Sequence, residues 1–312
     1  MKIFNNSTIT KKYKKSALAI GNFDGVHLGH QKIFKQTKLV AIKKKIKFGV
    51  LTFTPLPVMF FNKKIQNYRL ASEIQKLNFL KKNKVDFVIN INFNKKFSKI
   101  DATDFIKKII YKKINPKILA ISNNFRFGKK RKGNIDLLNK FSNQCKYKLL
   151  NIKPFNHTGQ IISSTKIRKY LKKGNINLAN KLLSRTWFIE GKVSKGKGLG
   201  RKLGYRTCNI NIKDYILPRE GIYAVKISIG DKKKVYGGVS YLGSRPTFNG
   251  KKVFLETNIF GIKKNLYKKK LKVYFLKFLR GDRKFKSSNK LIKQMNKDVI
   301  LAKKGLKTKL VL

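Results

Sequence analysis

The sequence predicts an α/β domain with a parallel sheet, followed by a small antiparallel β-barrel or sandwich and a C-terminal helix. In the first half, short apolar runs alternate with helical patterns, which is typical of strand–helix–strand units. From about Trp187, short stretches rich in Val, Ile, Tyr and Phe recur between turn residues, as in antiparallel sheets. A length of 312 residues allows about two domains. We expect them at residues 1–185 and 186–312.

The first half contains the signals of a parallel sheet. Ser72 followed three residues later by Gln75 predicts a capping box that opens a helix, and Asp101 opens a second helical segment. Ligands of such sheets bind beyond the carboxyl ends of the strands. The runs short enough for buried strands are Ala17–Ile20, Phe48–Phe53, Val85–Ile91 and Ile118–Ile121.

The second half contains strand signals and one helix signal. Gly, Pro, Asp and Asn separate the strand-like stretches, and the apolar side chains of Leu291, Met295, Val299 and Ala302 share one face of a final helix. The predicted strands are Phe188–Val193, Ile222–Ile229, Val235–Tyr241, Val253–Phe260 and Leu271–Phe278.

The composition is strongly basic, with 76 Lys and Arg against 13 Asp and Glu, a net charge of +63. Such a charge favours a nucleic-acid or anionic-membrane partner. However, only 11 of the basic residues are Arg, and the lysines are scattered in small clumps. Because Lys, Asn, Ile and Phe have A/T-rich codons, we interpret the charge as compositional drift on a solvated surface. A nucleic-acid-binding protein remains the alternative, and it would bind duplexes with steep salt dependence.

Other classes of protein are not indicated. Cys145 and Cys208 lie far apart and predict neither a disulfide framework nor a metal site. The first residues lack a secretory pattern, and no apolar run approaches the ~20 residues of a spanning helix. We expect a cytoplasmic protein without a membrane partner.

The most informative segment is Gly21-Asn22-Phe23-Asp24-Gly25-Val26-His27-Leu28-Gly29-His30, directly after the first predicted strand. It predicts a turn into a helix, where backbone N–H groups and the helix dipole favour phosphate. His27 and His30 are three residues apart and share a helical face. The alternative is two ordinary surface histidines. Because the chain has only three histidines, we favour a nucleotide site.

Two further segments carry polar groups. Ser164 and Thr165 lie at a predicted helix start with Arg168 in its first turn, which suits either a phosphate site or a plain N-cap with a surface arginine. Asn124 and Arg126 follow the fourth strand within Asn123–Lys129. The phenylalanines beside Arg126 suit stacking on a planar ligand, although a core edge is the simpler interpretation.

Together with Thr52–Pro57, these segments resemble the prokaryotic bifunctional riboflavin kinase/FMN adenylyltransferase family over nearly the whole chain. The resemblance implies a Rossmann-like nucleotidyltransferase domain that transfers AMP from ATP to FMN. It also implies a riboflavin-kinase-type barrel that makes FMN from riboflavin and ATP. The expected ligands are therefore riboflavin, FMN and ATP, with Mg²⁺ as cofactor and no nucleic acid.

For the first domain, the resemblance implies that His27 and His30 donate hydrogen bonds to phosphoryl oxygens. Asn124 and Arg126 lie on the flavin side. Two residues depart from the family pattern: Asn124 stands where the family often has Asp, and Leu56 where it has His. The ATP or phosphate contacts are Gly21, Asn22, Phe23, Gly29, Ser164, Thr165 and Arg168.

In the second domain, the glycine-dense segment 191–204 suits a mobile phosphate-binding loop or a flexible hairpin. The resemblance implies a flap over ATP with Gly196, Gly200 and Arg201.

The same resemblance assigns the remaining groups of the second domain. Thr207 and Asn209 contact Mg²⁺ and phosphate, Glu256 is the general base, and Arg280 lies near the flavin. Without the resemblance, Glu256 can also be interpreted as a surface carboxylate in an ion pair. Arg206 replaces the family's Pro, so an enzyme with only one working activity is the nearest rival.

Overall fold

The computed structural model describes residues 1–65, 67–157, 160–195, 200, 204–212, 215–230, 234–247, 250–262, 264–306 and 310–311. The chain divides into two compact units. The first comprises Met1–Gln66 with Ala71–Ser163, and the second Asn67–Leu70 with Ser164–Leu312. The second unit thus begins before residue 185, and the predicted functional boundary stays a prediction.

A six-stranded sheet organises the first unit, and every neighbouring pair in it is parallel, in the order β1-β4-β3-β2-β5-β6. The four predicted strands are confirmed. β1 and β6 were not predicted, because these edge strands are partly exposed and lack a continuous apolar run. The strands are β1 Lys2–Phe4, β2 Ala17–Ile20, β3 Phe48–Thr54, β4 Phe87–Asn92, β5 Ile118–Ser122 and β6 Lys148–Ile152, with a small hairpin β7 Asn156–His157 and β8 Gln160–Ile161.

Helices connect these strands. The predicted capping box is confirmed, because the Gln75 amide donates to the Ser72 hydroxyl at 3.2 Å and the Ser72 amide to the Gln75 side chain at 2.9 Å. The helix after Asp101 continues from α-helix into π-helix. The helices are α1 Leu28–Lys43, α2 Pro57–Phe61, α3 Glu73–Lys82, α4 Lys95–Ser98, α5 Ala102–Asp104 with its π-helical continuation Phe105–Ile114, and α6 Ile135–Lys140, with short 3-10 turns at Lys11–Tyr13 and Lys129–Arg131.

The strand order positions the ligand edge of this sheet. From β2 the chain adds β3 and β4 on one side, and then places β5 on the other side of β2. Such a reversal of strand order opens a crevice beyond the carboxyl ends of the two strands. The histidine segment follows β2, and the Asn123–Lys129 segment follows β5. Topology therefore brings both to the same edge.

The second unit contains a closed barrel rather than a sandwich. Its strands run antiparallel in the order β10-β13-β12-β11-β14-β9, and β9 pairs with β10 to close it. The five predicted strands are confirmed, whereas β10, only three residues long, was missed. The strands are β9 Phe188–Ser194, β10 Cys208–Ile210, β11 Gly221–Ile229, β12 Val235–Thr247, β13 Gly250–Ile259 and β14 Lys270–Arg280.

The barrel packs around large side chains and is joined by three helices. Trp187 and Tyr223 are buried and contact Phe275 at ring-centroid distances of 5.0 Å each. The predicted C-terminal helix is confirmed, and Ala302 on its apolar face is buried. The helices are α7 Ser164–Lys172, α8 Ile176–Leu183 and α9 Ser288–Gly305. Among the described residues, no helix is both long and apolar enough to span a membrane.

Candidate active sites

The turn between β2 and α1 has an unusual backbone. Phe23, Gly25 and Val26 have φ values of 48°, 79° and 41°. For a β-branched residue such as Val26 this conformation is a genuine outlier. The Val26 amide donates to the Phe23 carbonyl at 3.2 Å. Strained turns of this kind persist where the surrounding structure holds them, and they cluster at functional sites.

The two histidines of this turn lie together. His27 occupies the N-cap position of α1 and is only 4% exposed. Its ring stacks on that of His30, with 3.6 Å between centroids and 22° between planes. Phe23 meets His30 edge-on at 5.2 Å. A methyl group added at Gly29 would lie 3.1 Å from Cε1 of His27, so this glycine lets the ring approach the backbone. His27 is therefore not an ordinary surface histidine.

A polar network below the turn was missed in the sequence analysis. The Thr52 hydroxyl donates to the Asn22 carbonyl at 3.1 Å, and the Lys76 ammonium donates to Thr52 Oγ1 at 3.2 Å. Lys76 is buried, only 3% exposed. The sequence contains one indication that Lys76 is buried, namely its position four residues before Leu80, on the buried face of α3. In so lysine-rich a chain, that signal was not distinctive.

Beyond β5, Asn124 and Arg126 are exposed, and Arg126 donates to the Phe125 carbonyl at 3.3 Å. Phe127 is buried, and its ring stacks on Phe125 at 5.5 Å. The interpretation of these phenylalanines as a core edge therefore agrees with the structure.

An aromatic row at the ends of β3 and β4 was not anticipated. Phe93 is its centre, and its ring centroid lies 5.3 to 6.0 Å from four others. Phe61 in this row is 67% exposed. An exposed aromatic surface at the ligand edge of a parallel sheet suits a planar apolar ligand. The four partners of Phe93 are Phe53, Phe60, Phe61 and Phe97.

The segment with Ser164, Thr165 and Arg168 begins α7 in the second unit. Thr165 is exposed, and Ser164 is partly exposed. Arg168 is buried, its Nε donates to the Tyr68 carbonyl at 2.9 Å, and its guanidinium lies 3.7 Å from the centroid of the Tyr68 ring. The alternative of a surface arginine is therefore wrong, because this side chain is packed and oriented.

In the barrel, two predicted groups are direct neighbours. Asn209 in β10 stands opposite Glu256 in β13, and Tyr241 stands opposite Glu256 on the other side. Leu255 and Thr257 are buried. Because side chains alternate along a strand, Glu256 faces away from the barrel interior, on the same side as Asn209.

The loop before β10 lies against this pair of strands. A methyl group added at Gly200 would lie 3.1 Å from Thr207 Oγ1, so the backbone of Gly200 approaches that hydroxyl closely. Asn258 donates to the Arg206 carbonyl at 2.8 Å and ties the loop to β13. Gly196 and Arg201 lie outside the described residues.

Comparison with known proteins decides the family. Residues 9–166 match the family model for FAD synthetase, and residues 183–306 match that for riboflavin kinase. The bifunctional riboflavin kinase/FMN adenylyltransferase of Buchnera aphidicola from Schizaphis graminum is 41% identical over 95% of this chain and 96% of its own. The Escherichia coli K12 protein of the same name is 32% identical over 92% of this chain and 91% of its own. The chain belongs to the bifunctional riboflavin kinase/FMN adenylyltransferase family.

A solved structure agrees with this membership. A crystal structure from Streptococcus pneumoniae, described as a macrolide-efflux protein, superposes with a TM-score of 0.83 at 27% identity and covers 96% of this chain and 98% of its own. This likeness concerns the fold of the chain. The family resemblance and the predicted fold are thus confirmed, with the two domains in the expected order.

In this chain, Arg280 forms an ion pair with Asp298. Its Nε and Nη2 donate to the two carboxylate oxygens of Asp298 at 2.9 and 2.7 Å, and its Nη1 donates to the Gly281 carbonyl at 3.0 Å. Asp298 is buried in α9 and also accepts a hydrogen bond from Gln294 at 2.9 Å. The guanidinium of Arg280 therefore fastens the C-terminal helix to the barrel, and its flavin contact stays a prediction.

Titratable groups near the loop are held neutral. Burial raises the pKa of the Cys208 thiol, which lies between Thr207 and Asn209. Burial, with a smaller contribution from the Asp298 carboxylate, raises the pKa of the Tyr205 phenol. That phenol donates a hydrogen bond to the Asn296 side chain on α9. Both groups therefore stay protonated at neutral pH and act as packing or hydrogen-bonding groups.

Proposed function

We propose that this chain makes FAD from riboflavin in two ATP-dependent steps at separate sites. The barrel phosphorylates riboflavin to FMN, and the parallel-sheet domain transfers AMP from ATP to FMN with release of pyrophosphate. The observation that carries the adenylyl-transfer site is the stacked pair of His27 and His30 on a strained turn at the ligand edge of the sheet. Since ATP supplies both transferred groups, we expect a cytoplasmic location.

In adenylyl transfer, an FMN phosphate oxygen bonds to the α-phosphorus of ATP, and the bond from that phosphorus to pyrophosphate breaks. No covalent enzyme intermediate is needed, so the protein works by positioning and by stabilising charge on phosphoryl oxygens. His27 and His30 lie at the N-terminus of α1 and donate hydrogen bonds to those oxygens. The backbone around Gly21, Asn22, Phe23 and Gly29 accommodates the nucleotide.

The other groups hold the two ends of the substrates. Ser164, Thr165 and Arg168 bind the departing β- and γ-phosphates, and the contact of Arg168 with Tyr68 sets the orientation of its guanidinium. Asn124 and Arg126, both exposed, contact FMN from the end of β5. The aromatic row around Phe93 suits the apolar flavin ring.

In the barrel, Glu256 accepts the proton of the riboflavin 5′-hydroxyl as the hydroxyl oxygen bonds to the γ-phosphorus of ATP, and the bond from that phosphorus to ADP breaks. Thr207 and Asn209 fit Mg²⁺, because hydroxyl and amide oxygens are hard ligands. The neutral oxygens of these two side chains, together with water and substrate phosphates, would hold the ion. Once bound, Mg²⁺ neutralises charge on the phosphate oxygens. Gly196, Gly200 and Arg201 contribute to the ATP loop, and Arg280 to the flavin side.

The test is to incubate the protein with riboflavin, ATP and Mg²⁺ and to separate flavins by chromatography. FMN should form first and FAD second. Glu256→Gln should lower FMN formation by about 10²–10⁴-fold and leave FAD formation from supplied FMN unchanged. His30→Ala should lower FAD formation by about 10²–10³-fold and leave the kinase unchanged.

Matched controls are Glu220→Gln and His157→Ala, which should retain both activities. Production of only one flavin nucleotide would favour the single-activity rival, with Arg206 or Leu56 as the cause. Absence of both products would overturn the proposal.

A further inference from the structure

The α/β unit contains a buried cation that the mechanism above leaves unused. Lys76 is the only lysine that is buried in the described part of the chain. Compositional drift adds lysines to solvated surfaces, but burying an ammonium costs several kcal/mol unless it is compensated. Leu or Ile would fill the same place on α3 without that cost. The presence of an ammonium at this buried position therefore indicates that its charge has a role.

The contacts of Lys76 lead to the histidine turn. Its ammonium donates to Thr52 Oγ1 at 3.2 Å and lies 3.5 Å from the Phe53 carbonyl oxygen. Thr52 is completely buried, and its hydroxyl proton is directed to the Asn22 carbonyl at 3.1 Å. Because the ammonium can only donate, it occupies the acceptor side of the hydroxyl and leaves the proton for Asn22.

Asn22 is the residue before the first positive φ of the turn, at Phe23. A fixed Asn22 carbonyl fixes the peptide plane from which the chain enters the three left-handed residues Phe23, Gly25 and Val26. Those residues in turn set where His27 begins α1. The direction of one hydroxyl in β3 is thus linked to the direction of the imidazoles.

We propose that Lys76 is a positioning residue for adenylyl transfer, acting through Thr52 on the backbone that carries His27 and His30. This inference builds on the proposed role of the two histidines. Lys76 touches neither substrate nor reacting atoms. Its contribution is to hold a strained turn in the geometry that the transition state needs.

The experiment compares four single variants and one double variant in the full-length protein. Lys76→Met removes the charge, Thr52→Val removes the hydroxyl with little change of shape, and Thr52→Ser keeps the hydroxyl. Lys82→Met removes an exposed lysine from the same helix as a control. For each variant, kcat and KM are measured for FMN adenylylation, thermal unfolding followed by circular dichroism reports on folding of the first unit, and riboflavin phosphorylation in the same preparation reports on the second.

Lys76→Met and Thr52→Val should each lower kcat for adenylylation by about 100-fold, the scale of a 1 Å misplacement, with KM for ATP and FMN nearly unchanged. Thr52→Ser and Lys82→Met should match the wild type. The double variant of Lys76→Met with Thr52→Val should be no slower than either single change, because both interrupt one chain of hydrogen bonds.

A spectroscopic readout separates positioning from general stability. With three histidines in the chain, the imidazole signals are few enough to assign by ¹⁵N NMR. The signals of His27 and His30 should move in Lys76→Met and Thr52→Val but not in Thr52→Ser, while that of His157 stays in place.

Wild-type kcat in both Lys76→Met and Thr52→Val would overturn the proposal, and so would an equal loss in Thr52→Ser and Thr52→Val. If Lys76→Met does not fold, the Thr52 pair decides alone. If His30→Ala makes FAD at the wild-type rate, the role of the histidines fails. If His30→Ala is inactive while Lys76→Met and Thr52→Val are normal, only the role of Lys76 fails.

Discussion

The ion pair between Arg280 and Asp298 provides a quantitative test of the barrel's architecture. Both carboxylate oxygens of Asp298 accept hydrogen bonds from the guanidinium, and the side chains are 12% and 3% exposed. Asp298→Ala leaves the guanidinium of Arg280 largely buried, with the Gly281 carbonyl at 3.0 Å as its remaining hydrogen-bond acceptor among the described residues. Removing one partner of a buried pair costs about 3–5 kcal/mol. For a unit of this size, that corresponds to a fall in Tm of about 6–20 °C.

Because the chain has a single tryptophan, the change in the free energy of unfolding can be measured for the second unit alone. Trp187 is buried against Phe275, so its fluorescence reports unfolding of the second unit. Urea unfolding of Asp298→Ala should show the loss, whereas Lys297→Ala, an exposed change on the same helix, should stay within about 0.5 kcal/mol. A loss below about 1 kcal/mol in Asp298→Ala would refute the argument that this pair anchors α9.

A double replacement separates the anchoring role of Arg280 from its predicted flavin contact. Replacing both partners, Arg280→Met with Asp298→Leu, leaves no orphaned charge and should restore most of the stability. If Arg280 also contacts flavin, this stable variant will have a raised KM for riboflavin. An unchanged KM would assign Arg280 to anchoring alone.

Three further predictions concern the two sites. Gly128→Ala should destabilise the first unit by about 2–4 kcal/mol in thermal unfolding. Gly128 has φ 72° and ψ 175°, and a methyl group there would overlap the Ala102 backbone. A loss below about 1 kcal/mol would contradict this prediction. Because burial raises the pKa of Cys208, alkylation by iodoacetamide at pH 8 should be slower than for free cysteine and should accelerate only at higher pH. An equal rate at pH 8 would exclude the shift. Chelation by EDTA should abolish both activities and added Mg²⁺ restore them, and Asn209→Ala should raise the Mg²⁺ concentration needed by the kinase alone.

The sequence was sufficient where the signal is local. The strands β2 to β5 were predicted from short continuous apolar runs and five barrel strands from short stretches rich in Val, Ile, Tyr and Phe, and the capping box at Ser72 is a contact over three residues. The histidine segment combines a strand end, a turn and a helix start within ten residues. Such features depend on covalent spacing, which sequence contains directly.

Strands and contacts that depend on residues far apart in the sequence could not be predicted from local patterns. β1, β6 and β10 are too short or too exposed to give a pattern and are defined by the strands beside them. The stacking of Arg168 on Tyr68 joins residues one hundred positions apart.

By itself, the sequence determined the two-domain class and the family, and it supplied the groups that we propose bind phosphate. Only the tertiary structure decided which of them are buried, paired or adjacent. It placed Asn209 beside Glu256, gave Arg280 a carboxylate partner and brought Lys76 beneath the histidine turn. The physical reason is that burial and strand register arise from the packing of remote segments, so one lysine among many differs from the rest only after the chain has folded.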